Sequence, residues 1–219
     1  MLPARARQSH PGDKLHKLAA SLTLSRPEDV YLQLVSLWEQ PSTMVLGGVE
    51  PQTPLTDPEA NLRIDSPALR AMHLDAVTYL PDDILCKVDR AAMAVSLETR
   101  VPLLDHRVYE LAWRLPMRHR IQGGVGKTLL RRLLHQYVPA ELVERPKMGF
   151  GVPLGDWLRG PLQGWASDLL DPVRLRDQGL LTPDHVTTAW QRHRTGAADE
   201  KYRLWSVLVL QAWLEANGA

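Results

Sequence analysis

Apolar residues recur at intervals of three and four along most of this chain, which is the spacing of one face of an α-helix. Stretches that alternate β-branched and polar residues, as half-buried strands do, are absent from the sequence. The pattern therefore predicts a mainly α protein. Its predicted helices lie at about 14–22, 27–39, 67–79, 82–96, 105–113, 127–137, 139–143, 161–170, 183–194 and 198–216.

The most distinctive helical pattern lies within residues 79–105. One face of this predicted helix is apolar and consists of Ile84, Leu85, Val88, Ala91, Ala92 and Val95. Asp83, Lys87 and Arg90 fall on the opposite face. Pro81 suits the first turn, where a missing backbone N–H costs nothing. The charged face is a candidate for part of a polar site.

The exit from this helix is also charged, and it has two interpretations. Because a proline restricts the residue before it, the helix should end before Pro102, which leaves Glu98 and Arg100 in a tight non-helical segment. Glu98 and Arg100 could line a substrate pocket. Alternatively, the arginine ties the turn together through ion pairs, and Asp105 caps the next helix. Arg90 is divided in the same way between lining a site and a structural ion-pair role.

Two segments lack helical periodicity. Residues 1–13 hold two prolines and few apolar residues, so we expect a frayed or truncated start. Residues 40–66 hold four prolines and are predicted to form a long loop.

Composition narrows the class of protein. A chain of 219 residues with 44% hydrophobic content can bury a core, and its net charge of +1 gives no argument for nucleic acid or membranes as partners. The single cysteine, Cys86, excludes an internal disulfide and favours a reducing compartment. No apolar run approaches the ~20 residues of a membrane span. These features favour a cytoplasmic protein.

The histidines and tryptophans lead to predictions about metal binding and about the core. The eight histidines are scattered without the close pairing of a zinc site, so no metal site is predicted. Trp157, Trp165, Trp205 and Trp213 fall in the C-terminal helices and are predicted to anchor the core.

A basic group follows the glycine-rich residues 123–126. Lys127 starts a predicted helix, and Arg131 and His135 follow it at four-residue spacing. Positive charge at a helix N-terminus opposes the helix dipole, and a bound phosphate or pyrophosphate would remove that conflict. A Walker A loop would require glycine in place of Ile121, so that class is excluded. The alternative is a solvated basic face.

Lys147 lies in a stretch whose composition suits a loop that closes over a ligand. The stretch reads Arg145-Pro-Lys-Met-Gly-Phe-Gly151, with a proline on one side of the lysine and two glycines on the other. Such a lysine can neutralise negative charge that develops during a reaction. The alternative is an ordinary exposed lysine.

Several tracts carry a family resemblance. They are Tyr79-Leu-Pro-Asp-Asp-Ile-Leu-Cys-Lys-Val-Asp-Arg90, Glu98-Thr-Arg-Val-Pro-Leu-Leu-Asp105, Gly126-Lys-Thr-Leu-Leu-Arg131, Val138-Pro139, Arg145-Pro-Lys-Met-Gly-Phe-Gly-Val-Pro153 and Asp156-Trp-Leu158. In this order they resemble the synthetase domain of glutamine-hydrolysing asparagine synthase. The resemblance assigns residues 14–219 to the C-terminal part of that domain, with a motif core at 75–158.

The resemblance implies the helical portion of an ATP-pyrophosphatase-type synthetase domain, with the parallel-sheet nucleotide-binding half largely missing. Leu2 stands where the family's glutaminase has its cysteine, and neither Ser-Gly-Gly-x-Asp-Ser nor Gly-x-Gly-x-Asp-Glu occurs in the sequence. We therefore expect this chain to follow the nucleotide-binding half of a longer enzyme and to be inactive alone. Its expected partners are the missing glutaminase and nucleotide-binding portions, and a homodimer fits the resemblance.

The implied reaction is the adenylation of the aspartate side-chain carboxylate by ATP with Mg, followed by amidation with ammonia from glutamine. In this scheme Lys147 is the catalytic residue, and the other assigned residues bind substrate or pyrophosphate. Substrate binding falls to Glu98, Arg100 and Arg90, and phosphate binding to Lys127 and Arg131. Two alternatives remain: an amidotransferase for another carboxylate, such as a sugar acid, a peptide or a β-lactam precursor, or a non-catalytic helical binding module.

Overall fold

The computed structural model describes residues 19, 22–24, 26–57, 64–145 and 151–218. Their regular structure is almost entirely helical, which confirms the mainly α prediction. The chain divides into two compact units. The first unit comprises Met1–Pro81 with Val152–Ala219, and the second comprises Asp82–Gly151. Among the described helices, none is long and apolar enough to cross a membrane.

The described α-helices are short, with one exception near the C-terminus. They are α1 (Pro27–Val35), α2 (Pro41–Met44), α3 (Pro67–Val77), α4 (Cys86–Met93), α5 (His106–Arg114), α6 (Thr128–Leu134), α7 (Ala140–Val143), α8 (Leu154–Arg159), α9 (Gln163–Leu169), α10 (Pro172–Gln178), α11 (Pro183–Arg194) and α12 (Lys201–Asn217). Three helical segments of other types are a π-helix at Leu80–Leu85 and 3-10 helices at Pro102–Leu104 and Met117–His119. A hairpin pairs β1 (Ile121–Gln122) with β2 (Val125–Gly126) in antiparallel register.

The core of the first unit is largely aliphatic and comes mostly from α8 to α12. Its buried members are Met44, Leu154, Leu158, Ala166, Leu169, Leu170, Leu175, Leu181, Val186, Ala189, Trp190, Leu204, Val207 and Leu208. Burial of apolar surface at this density is the dominant favourable contribution to folding. The first unit therefore has the features of a stable globular body.

The segment around α2 joins this core from a distant part of the sequence. Thr182 N–H donates to the Met44 carbonyl at 2.9 Å, and Leu46 N–H donates to the Leu180 carbonyl at 2.9 Å. Thr182 Oγ1 donates to the carbonyl of Thr43 at 2.7 Å. These bonds hold the segment so that the Met44 side chain is buried among the C-terminal helices.

The second unit has no comparable core. Every described residue from Asp82 to Arg145 keeps at least part of its surface accessible, and none falls in the buried class. Many of its apolar side chains are exposed, including Val95, Leu97, Leu111 and Leu142. The stability of this unit accordingly owes less to apolar burial than that of the first.

The tryptophans predicted to anchor the core lie mostly outside it. Trp157, Trp165 and Trp205 are 39%, 38% and 36% exposed, and Trp213 is 58% exposed. The prediction is wrong for these four, because their helices turn leucines and alanines inward and the tryptophans outward. Trp190, by contrast, lies in the core.

Other differences concern the ends and number of elements. The helix predicted at 183–194 has those bounds, whereas the one predicted at 82–96 is α-helical only over Cys86–Met93. The sequence patterns did not predict α8, α10 or the hairpin, and the predicted loop at 40–66 contains the short helix α2. Of the helix predicted at 14–22, only Ala19 and Leu22 are described.

Candidate functional site

The first tract of the candidate site forms two kinds of helix. The π-helical turn Leu80–Leu85 runs directly into α4. Lys87 Nζ forms an ion pair with the Asp83 carboxylate one turn earlier. Arg90 lies on an exposed part of α4. π-Helical turns are rare and frequently occur at functional sites, so this departure from regular geometry is itself a site indicator.

Helix α4 ends in a reversal centred on Ser96, which has φ of 59°. Leu97 N–H donates to the Ala92 carbonyl at 2.9 Å, and Ser96 N–H donates to the Met93 carbonyl at 3.0 Å. This pair of bonds defines a Schellman motif, whose left-handed position is usually glycine. A serine there carries backbone strain, and strain of this kind clusters at functional sites.

Beyond this reversal, Glu98 and Arg100 form an ion pair. Arg100 Nη2 lies 2.6 Å from Glu98 Oε1, and both side chains are largely exposed. An exposed pair of this kind contributes little to stability. Its charges therefore remain available to a ligand, and lining of a substrate pocket by these two residues stays a prediction.

Asp105 takes the helix-capping role predicted for it. Its carboxylate accepts the Arg107 backbone N–H at 2.9 Å and so caps α5. The Arg107 guanidinium donates to both oxygens of the same carboxylate. Hydrogen bonding from Arg107 lowers the pKa of Asp105 below its ordinary value.

The glycine-rich stretch before Lys127 forms a turn. Gly123 and Gly124, with φ of 58° and 77°, connect β1 to β2 as the two central residues of a tight hairpin. The adjacent glycines are a recognised hairpin signal in sequence, so this element was within reach of pattern analysis.

Lys127 is the residue immediately before α6, and its backbone is left-handed with φ of 60°. Apart from glycines, it and Ser96 are the positions with positive φ in the described ranges. The Lys127 side chain is exposed and has no hydrogen-bond or ion-pair partner among the described residues. An unpaired lysine on a strained backbone is consistent with a role toward a ligand.

Arg131 is already engaged by protein groups. Its Nη1 contacts both carboxylate oxygens of Glu144, and its Nε donates to the Gly126 carbonyl at 3.1 Å. His135 Nε2 lies 3.3 Å from Glu144 Oε1. The hydrogen bond from Arg131 is the main cause that lowers the pKa of Glu144. Sequence analysis missed Glu144, since nothing in its spacing marks it as the partner of Arg131.

The predicted site residues are thus arranged in separate groups. In the described part of the chain, no hydrogen bond or ion pair joins the Glu98–Arg100 pair to Lys127 or Arg131. Lys147 lies outside the described residues. Within the described ranges, no three His, Cys, Asp or Glu side chains come together as metal ligands would.

Comparisons with a family model and with curated proteins both match this chain to asparagine synthases. The family model described as asparagine synthase matches residues 2–215. A relative from Mycobacterium tuberculosis, the putative glutamine-hydrolysing asparagine synthetase, is 39% identical over 174 residues, which are 77% of this chain and 26% of the relative. Glutamine-hydrolysing asparagine synthetase 1 of Bacillus subtilis is 31% identical over 148 residues, or 68% of this chain and 23% of the relative.

A more distant relative is the human glutamine-hydrolysing asparagine synthetase, which is 28% identical over 151 residues, or 62% of this chain and 26% of the relative. No solved structure matches. The chain spans about a quarter of the length of the curated relatives that it matches.

Proposed function

Because this chain belongs to the asparagine synthase family, we propose that it forms part of an ATP-dependent carbon–nitrogen ligase. The observation that carries the proposal is the family match over nearly the whole chain, from residue 2 to 215. The relatives named above are asparagine synthetases that hydrolyse glutamine. Aspartate, ATP and glutamine-derived ammonia are accordingly the substrates of the proposed enzyme, and its proposed setting is the cytoplasm.

The proposed reaction has two steps. An oxygen of the aspartate side-chain carboxylate attacks the α-phosphate of ATP, which gives an aspartyl-adenylate and releases pyrophosphate. Ammonia then attacks the activated carbonyl carbon, and the acyl–oxygen bond to AMP breaks after loss of a proton from nitrogen. Both steps develop negative charge on oxygen, so fixed cations near these oxygens lower the barriers.

Lys147 is the proposed catalytic residue of this chain. Its ammonium group is proposed to neutralise negative charge on the phosphate as pyrophosphate leaves. Glu98, Arg100 and Arg90 are proposed to contact the amino-acid substrate, whose ammonium and carboxylate groups need partners of both signs. The exposed Glu98–Arg100 pair offers one of each.

Lys127 and Arg131 are proposed to contact the phosphates. Lys127 is exposed and ready to do so, whereas Arg131 would first have to release Glu144. A polyphosphate carries several negative charges and can compete with a single carboxylate for a guanidinium group. Glu144 would in this scheme hold Arg131 in place until the nucleotide arrives.

Magnesium enters the proposal as the companion of ATP. Mg²⁺ in nucleotide sites is usually held by phosphates and by one or two carboxylates. The described part of this chain brings no three acidic, His or Cys side chains together. We propose that Mg²⁺ arrives bound to ATP and is held mainly by the nucleotide-binding half that the family resemblance implies. The chain alone is expected to be inactive, since no Ser-Gly-Gly-x-Asp-Ser loop occurs in its sequence.

A domain replacement tests the proposal. The matched region of Bacillus subtilis asparagine synthetase 1 would be exchanged for the corresponding residues of this chain. We expect the chimera to support aspartate-dependent ATP–pyrophosphate exchange and to form asparagine, whereas this chain alone does neither. A folded chimera that exchanges pyrophosphate with another carboxylate, but not with aspartate, would overturn the assigned substrate.

Substitution of Lys147 tests its role in the same chimera. Lys147→Ala should lower kcat by on the order of 100-fold, the typical cost of removing one preorganised charge-stabilising group. Arg176→Ala is the matched control, because Arg176 is an exposed cation on α10 with no assigned role. Unchanged turnover in Lys147→Ala would remove the catalytic assignment.

A further inference from the structure

A cleft of about 440 Å³ lies where the segment around α2 meets α11 and the start of α12. A volume of this size is within the range of small-molecule sites. All the residues that line it belong to the first unit, whereas those proposed to bind aspartate and phosphate and described in the structure belong to the second. The cleft is therefore separate from the site of the proposed reaction.

Four charged side chains of alternating sign form a chain along this cleft, which we call the charge chain. Arg192 Nη1 lies 3.5 Å from Glu200 Oε1, and Arg203 Nη1 lies 3.1 Å from Glu200 Oε2. Arg203 Nη2 lies 3.4 Å from Glu39 Oε1. The charge chain thus runs from a cation at Arg192 to an anion at Glu39, and its positive and negative charges cancel.

The two inner members of the charge chain are held in place by the protein. The Glu200 side chain is only 6% exposed, and the backbone N–H of the same residue donates to His193 Nδ1 at 3.3 Å. Arg203 Nε donates to the Leu37 carbonyl at 2.7 Å, and the guanidinium lies 5.7 Å from the centre of the Trp38 ring. Separating a buried ion pair is costly, so a ligand would leave these two charges paired.

The two ends of the charge chain, by contrast, are open to solvent. The side chains of Arg192 and Glu39 are 56% and 85% exposed. In the described part of the protein, each has one ion-pair partner, at 3.5 Å for Arg192 and 3.4 Å for Glu39. Exposed pairs of this kind contribute little to stability, so both groups can turn to a ligand. A ligand with a carboxylate and an ammonium group would engage both ends and close the charge chain into a ring.

Neutral polar side chains line other parts of the cleft. His185 and Thr188 precede Arg192 on α11 by seven and four residues, so the three share one helix face. Gln40 comes from the segment before α2. Among the described residues, the side chains of His185, Thr188 and Gln40 have no hydrogen-bond partner. An amide side chain, which offers both donors and an acceptor, would satisfy such groups.

We propose that this cleft binds a free zwitterionic α-amino acid with a polar, uncharged side chain, the class to which asparagine and glutamine belong. The ligand carboxylate accepts hydrogen bonds from the Arg192 guanidinium, and the ligand ammonium group donates to the Glu39 carboxylate. A charged side chain would add an uncompensated charge to a neutral site, so aspartate and lysine fit less well. Binding here does not depend on the proposed reaction, because no residue assigned to that reaction takes part.

Titration of the isotope-labelled 219-residue chain with L-asparagine, followed by amide NMR shifts, tests the site. Resonances from residues 38–44 and 185–203 should shift, with a dissociation constant on the order of 0.1–1 mM, within the limit for a ligand of so few atoms. Acetate and methylammonium each carry one of the two charges. Each should bind about tenfold or more weakly than L-asparagine, because it engages only one end of the charge chain.

Arg192→Gln and Glu39→Gln each remove one end of the charge chain. Each should weaken the binding of L-asparagine at least tenfold, while the two buried charges stay paired and the fold is kept, which circular dichroism would verify. Arg194→Gln and Glu50→Gln are the matched controls, since both residues are exposed and neither lines the cleft. These two variants should bind like the parent chain.

Three results would overturn the proposal. The first is the absence of binding by L-asparagine and L-glutamine up to about 10 mM. The second is acetate binding as tight as that of L-asparagine, which would show a simple anion site. The third is binding that Arg100→Gln abolishes and Arg192→Gln leaves intact. That result would move the ligand to the proposed substrate pocket, and it would count against this cleft but not against the proposed function.

Discussion

At the scale of single residues, His193 is the most constrained titratable group in the first unit. Its side chain is fully buried, and both ring nitrogens are engaged. Nδ1 accepts the backbone N–H of Glu200 at 3.3 Å, so Nε2 carries the proton and donates to the Gly155 carbonyl at 3.3 Å. This arrangement joins the end of α11 to α8 and to the start of α12, and it requires a neutral imidazole.

We expect the first unit to lose stability as the pH falls below about 6.5. Burial, followed by the nearby Arg159 guanidinium, lowers the pKa of His193 from its ordinary value of 6.5, although Asp199 and Glu200 act in the opposite direction. The unfolded chain then binds more protons than the folded one between the lowered pKa and 6.5. The contribution of the neutral histidine to the free energy of unfolding is complete above pH 6.5, and it is lost as the pH falls toward the pKa of His193 in the folded state. Urea unfolding at a series of pH values measures it.

His193→Gln is the control for this prediction. The amide can still donate to the Gly155 carbonyl but does not titrate, so the slope of unfolding free energy against pH should flatten in the window below 6.5. A parent chain and a variant with equal slopes would show that another group is responsible.

The sequence could predict a residue's hydrogen-bond and ion-pair partners only where those partners lie close to it along the chain. Asp105 caps the helix that begins at the next residue, and its residue type and position were enough to nominate it. Glu144 reaches Arg131 from 13 residues away, and the bond of His193 to Gly155 spans 38. Such partners are set by tertiary packing. Local patterns therefore identified Arg131 as a candidate but did not identify the carboxylate of Glu144 that pairs with it.

At the scale of elements, the ends of α10 carry clear local signals. Asp171 accepts the backbone N–H groups of Val173 and Arg174, and Pro172 occupies the first helical turn. Gly179 closes the helix with φ of 63°. These local signals were sufficient to predict α10, although the helix was not predicted. The end of α4 at Ser96 had no such signal, because serine rarely takes a left-handed conformation.

Two glycine substitutions should change the stability of the first unit in opposite directions. A Cβ at Gly179 or at Gly164 would meet no atom within 4 Å, so backbone conformation alone distinguishes them. Gly179→Ala forces alanine into a left-handed conformation and should cost about 1–2 kcal/mol. Gly164→Ala, at the second residue of α9, should stabilise by about 0.4–1 kcal/mol, because alanine reduces the conformational freedom of the unfolded chain. Thermal unfolding measures both, and a shift of the same sign in the two variants would contradict this account.

At the scale of the whole molecule, the two units differ in how they are held together. The first has an aliphatic core, and the second has no buried residue among those described. Hydrophobic periodicity identified most of the helices of both units, yet it did not show that only the helices of the first unit would have a buried face. The four misassigned tryptophans have the same cause, since a pattern shows which residues are apolar but not which face is buried.

Backbone amides of the second unit should therefore exchange with solvent faster than those of the first. Local opening costs least where few apolar contacts must break. Hydrogen–deuterium exchange followed by mass spectrometry should give low protection for peptides from residues 82–145 and high protection for those from α8 to α12. Equal protection of the two sets would indicate that both units unfold together.

The burial of Met44 among the C-terminal helices has a consequence for synthesis on the ribosome. At 5–20 residues per second, translation of Leu208 follows that of Met44 by about 8–30 s. Until the end of that interval the nascent segment around Met44 lacks the complete set of helices that form its core, and all of the second unit is translated in the meantime. Chaperones that recognise exposed apolar segments would therefore have access to residues near Met44 before the chain can complete its larger unit.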